Sequence, residues 1–145
     1  MKVPAAVALF LSLAGAGCGS SSTSPSTVTT TQTPVAPTQT ETFRGTLAVG
    51  ATRFYSFSVA QYGTVNLTLT ALTGDIDPAT SSVTLGLGRP SGTGCALGLS
   101  VTAFPTSTET PHTSNILDAG VYCAQVTDSG TLTAPAAFTV AIAHP

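Results

Sequence analysis

Two cysteines late in the chain, Cys95 and Cys123, are the side chains best suited to making a bond. In an oxidising compartment the expected product is a disulfide. It would close a loop of about 29 residues and add roughly 3.5 kcal/mol through chain entropy. The alternatives are metal ligation or a catalytic thiol. Neither has the spacing it needs: there is no C-x-x-C, and His112 stands at no ligand spacing from either cysteine. If Tyr122, Ala124 and Val126 face a core, Cys123 points the other way, and the bridge belongs on an edge or outer face. Oxygen donors are scarcer. Asp75 and Asp77, within Gly74-Asp75-Ile76-Asp77-Pro78, are the best calcium candidates. Calcium takes about six to eight oxygens and no EF-hand spacing follows, so a solvated turn is the preferred reading. Asp118 and Asp128 read as turn-formers, the latter as a hairpin corner in Thr127-Asp128-Ser129-Gly130. His112 and His144 are the only general bases of suitable pKa, and their proline-flanked positions predict exposure. Glu41 falls in a tether and Glu109 in a loop. With no G-x-S-x-G, H-E-x-x-H or phosphate-cradling loop, no catalysis is expected.

A third cysteine, Cys18, sets the address. Lys2, the apolar run Val3 to Leu13 and the small residues Ala14-Gly15-Ala16-Gly17 precede it. That is the pattern of an export signal, too short to span a bilayer, which takes about twenty apolar residues. The segment resembles a bacterial lipoprotein signal, whose cleavage leaves an acylated cysteine as the first mature residue. Residues 1–17 are then a signal peptide and Cys18 the lipidation site. The protein is expected at the outer membrane or cell surface. Acylation of Cys18 also leaves Cys95 and Cys123 as a pair. The alternative is ordinary secretion, with Ala14-Gly15-Ala16 as an A-x-A cleavage site. Residues 18–42, rich in threonine, serine and proline, read as a disordered tether spanning roughly 30 Å.

Charge excludes some partners. After the signal only Arg44, Arg53 and Arg89 are cationic, and the whole chain carries −2 at pH 7. Three scattered arginines make no groove for nucleic acid and no polybasic membrane patch.

From Phe43 the apolar residues alternate with period two. Phe43, Gly45, Leu47 and Val49 share a face; Tyr55, Phe57 and Val59 follow, then Val65, Leu67 and Leu69. Val83, Leu85 and Leu87 form a further set, as do Cys95, Leu97, Leu99 and Val101. Val121 to Thr127 and then Phe138, Val140 and Ile142 close the chain. Each run is short and bounded by glycine, proline or aspartate. Further short strands fit near Ile116-Leu117 and Thr131-Leu132, while Leu85-Gly86-Leu87-Gly88 suggests a bend or close backbone contact. The expectation is all-β: a single jelly-roll-like or Ig-like antiparallel β-sandwich of about seven to nine strands over residues 43–145.

Asp118-Ala119-Gly120-Val121-Tyr122-Cys123 is one residue short of the immunoglobulin D-x-G-x-Y-x-C, and no tryptophan exists to cover the bridge. A true immunoglobulin domain is excluded. Tyr55-Ser56-Phe57-Ser58-Val59, then Gly63-Thr64-Val65-Asn66-Leu67-Thr68-Leu69, resembles the bacterial pre-peptidase C-terminal domain. Leu117 to Val126 and Phe138 to Ile142 are similar to that family's late strands. The likeness covers residues 43–143. It implies a jelly-roll-like sandwich that accompanies secreted hydrolases or binds extracellular polymers. The function expected is a non-catalytic, lipid-anchored module, at the surface or in the periplasm, that binds or scaffolds extracellular glycan or protein, with Phe54, Tyr62 and Phe104 as candidate docking aromatics. Two alternatives stand beside it: an accessory or inhibitor of a separately encoded hydrolase, and a secreted structural protein of the envelope.

Overall fold

A computed structural model describes residues 31–105 and 112–145; Cys18 and Glu109 lie outside them. Eight strands occur: β1 Gln39–Leu47, β2 Thr52–Val59, β3 Gly63–Gly74, β4 Val83–Ser91, β5 Gly94–Ala103, β6 Thr113–Leu117, β7 Gly120–Asp128 and β8 Ala136–His144. They form two antiparallel four-stranded sheets, ordered β1-β8-β3-β6 and β2-β7-β4-β5. First pairs with last, second with seventh, third with sixth and fourth with fifth. This is the order obtained by rolling one long hairpin into a double sheet, the jelly roll.

Alternation places the core between the sheets. Leu47, Val65, Leu67, Leu69, Val83, Leu85, Val126, Val140 and Ile142 are fully buried. On one side the sandwich is closed: Phe43 of β1 stacks on Tyr55 of β2 at 5.3 Å and meets Phe138 edge-on at 5.1 Å. On the other side the edge strands are β5, paired only with β4, and β6, paired only with β3, among the described residues.

Several boundaries differ from expectation, each for a physical reason. The first strand starts at Gln39 rather than Phe43, so the domain begins inside the expected tether. Glu41 lies on the inward side two residues before Phe43, and Thr38 N–H donates to His144 C=O at 3.0 Å. Upstream, Val35 bridges Gly63 in parallel. Val49 is 55% exposed instead of inward, because the chain already turns at Gly50 with φ +69°. Thr127 to Gly130 is no hairpin corner: β7 and β8 belong to different sheets, and the segment arches between them. Thr131-Leu132 is part of that arch and not a strand; the extra strand is β6.

The disulfide joins β5 to β7 across β4. Cys95 and Cys123 Cα atoms are 5.9 Å apart, whereas strands two places apart in a flat sheet lie about 9.5 Å apart. β5 must therefore ride over the outer face of β4. Gly88 makes this possible, since a Cβ there would overlap the backbone of Ala96. A register shift between Leu87 and Gly88 accompanies the crossing. It sends Leu99 and Val101 inward but Cys95 and Leu97 outward, with Leu97 lying over Gly86.

Candidate functional site

The candidate docking aromatics are not assembled. Phe54 is exposed on β2, Tyr62 lies in the β2–β3 turn, and Phe104 follows β5. Strands β2 and β5 are the opposite edges of one sheet, about 14 Å apart at the usual spacing. Tyr62 sits at the other end of the strands. Asp77 orders its own turn: its carboxylate accepts from Ala79 N–H at 2.9 Å and Thr80 hydroxyl at 3.0 Å. Asp75 is exposed beside it, and no group of three metal-ligating side chains occurs among the described residues.

His144 is buried, 2% exposed, against expectation. Period-two alternation along β8 carries it inward after Phe138, Val140 and Ile142. There Nε2 lies 3.1 Å from Glu41 Oε1, and Nδ1 lies 3.1 Å from the Pro145 carbonyl. Tyr55 donates its hydroxyl to Glu41 Oε2 at 2.7 Å, which raises the tyrosine pKa. With both ring nitrogens engaged, this cluster ties β1, β2 and β8 together at the closed side. His112 Nδ1 accepts the Leu69 N–H at 3.2 Å, and burial lowers its pKa.

The concave feature lies on the open side. A cleft of about 470 Å³ is bounded by Leu87 and Arg89 of β4, Leu97 and Leu99 of β5, and Ile116 to Asp118 at the end of β6, with Tyr122 below. Its volume falls within the range of roughly 300–1,000 Å³ typical of small-ligand sites. The walls are apolar and open: Leu99 is 37% and Ile116 47% exposed. Each wall has a local cause. Leu99 faces the cleft because the shift near Gly88 turns it inward beside Leu87, and Ile116 belongs to an edge strand.

Arg89 is the cleft's cation. Its guanidinium lies 4.6 Å from the centre of the Tyr122 ring, and Nη2 donates to the tyrosine hydroxyl at 2.9 Å. That hydroxyl in turn donates to Asp118 C=O at 3.0 Å. The return bond to a residue four earlier is a tyrosine corner, which the D-x-G-x-Y run supplies without an immunoglobulin fold. Among the described residues the one ion pair is His144–Glu41. Arg89 therefore has no carboxylate within ion-pair distance among the described residues, and its side chain is exposed. Sequence reasoning missed this site. The cleft draws on four strands spread over residues 87–122, and the only signal was the scarcity of cations.

The sheets and their order define a jelly-roll β-sandwich. Compared with known proteins, the chain matches no family model and no curated sequence.

Proposed function

We propose that this protein is a non-catalytic binding module, held at the bacterial envelope by a lipid on Cys18, whose site is the cleft between β5 and β6. The observation that carries the reading is the cleft itself: apolar side chains left open at a sandwich edge, beside an arginine that pairs with no carboxylate among the described residues. Contiguous exposed apolar surface of this kind marks ligand grooves and protein contacts. A long β5 edge with no charged residue and no proline favours a protein ligand over a glycan, because such an edge offers unpaired main-chain groups to another strand. The export pattern before Cys18 and the polar tract after it support the anchoring.

Two measurements test this. Intact mass of the natural mature N-terminus should show at least two acyl chains on Cys18, the number needed for stable residence; an unmodified terminus would remove the anchor. The processed chain, screened against immobilised extracellular proteins and glycans, should retain a ligand and lose it on Leu99→Asp. Retention unchanged by Leu99→Asp would place binding elsewhere.

A further inference from the structure

Resting on that reading of the cleft, we propose that its ligand is the free carboxyl-terminal end of an extended, apolar polypeptide, with Arg89 holding the carboxylate.

Three observations converge. The first is the arginine. Stacked against Tyr122 and bonded to its hydroxyl, the guanidinium is held in place before any ligand arrives. A planar fork of donors fixed in this way matches a carboxylate bidentately. The second is the strand edge. The main chain of β5 pairs on one side only, with β4, so its other side can accept a strand. Arg89 stands opposite Ala96, near the start of β5. A chain whose carboxyl end meets Arg89 and which continues past Leu99 towards Ala103 runs antiparallel to β5, the arrangement that adds most simply to this sheet. The third is the wall. Leu87, Leu99, Ile116 and Leu117 surround the space a terminal apolar side chain would enter. Asn115 and Asp118 line the same cleft and offer acceptors for ligand N–H groups.

The test titrates the isotopically labelled mature protein by NMR with the pentapeptide acetyl-Thr-Val-Thr-Val-Leu, once as the free acid and once as the carboxyl-terminal amide. The acid should bind at least tenfold tighter, with the largest shifts at β5 amides and the Arg89 side chain. Arg89→Gln should bring the acid down to the level of the amide. If that variant melts below the parent, Arg89→Lys supplies the readout: it keeps the charge, loses the fork and should retain only part of the preference. Equal binding of acid and amide would sink the carboxylate anchor while leaving the cleft a binding site. No binding of either peptide would overturn the inference, as would capture of glucuronic-acid oligosaccharides without the peptide; the protein and glycan screen then tests the wider reading separately.

Discussion

Asp128 shows how one side chain closes a sandwich end. Its Oδ2 accepts from Gly50 N–H at 2.7 Å, and its Oδ1 from Gly130, Thr131 and Leu132 at 2.9, 3.1 and 3.2 Å. Burial alone would raise the carboxyl pKa, but the four N–H donors prevail and hold it below its ordinary value of 3.8. A depressed carboxyl contributes stability that is present above the unfolded value and lost as pH falls through the folded one. His112 acts in the same direction. Its lowered pKa means that protonation favours the unfolded chain, so its contribution fades as pH drops below 6.5. Acid titration of stability should therefore show a shallow loss below about pH 6.5 and a steeper one below about pH 4. Asp128→Ala should cost about 2–3 kcal/mol near neutrality, since buried donors lose their acceptor, and should flatten the steeper limb. Chemical denaturation across pH measures both. An unchanged acid limb would show that the four hydrogen bonds do not set the carboxyl's titration.

At the scale of elements, the crossing of β5 over β4 decides whether the cleft exists. Two features enforce it, the Cys95–Cys123 bridge and the missing side chain at Gly88. Gly88→Ala adds one methyl against the Ala96 backbone and should destabilise by about 1–3 kcal/mol, as overpacking does. The double change Cys95→Ser with Cys123→Ser should cost about 2–4 kcal/mol. Differential scanning calorimetry should register both, and hydrogen exchange should show β5 opening first; a bridge-free variant with β5 still fully protected would mean the crossing holds without its staple. Much of this was legible in the sequence. Alternating runs gave the strands, cysteine parity gave the pairing, and Leu85-Gly86-Leu87-Gly88 signalled a close backbone approach. Polar residues at inward positions were not legible. Glu41 and His144 continue the alternation of β1 and β8, but hydropathy hides a polar pair that satisfies its own hydrogen bonds. Arg89 was equally hidden, because the Tyr122 ring that fixes it lies 33 residues away.

Across the whole molecule the two sides of the sandwich differ in what they leave unpaired. Phe43, Tyr55, Phe138 and the Glu41–His144 pair seal one side. Opposite it, β5 and β6 bring exposed leucine and isoleucine to a cleft with a single arginine. The two pairs of edge strands thus differ, β1 with β2 packed by aromatic rings and β5 with β6 left beside a cleft, and the proposed function places recognition at the second pair. The proposed lipid on Cys18 would hold the domain outside the cytosol. A photo-crosslinking amino acid in place of Leu99, expressed in the source organism and irradiated in living cells, tests this assignment most directly, with the same residue in place of Phe54 as the comparison. Covalent adducts at position 99 and none at position 54 are the expected result. Adducts at 54 alone, or none at 99 with the protein present at normal abundance, would contradict it.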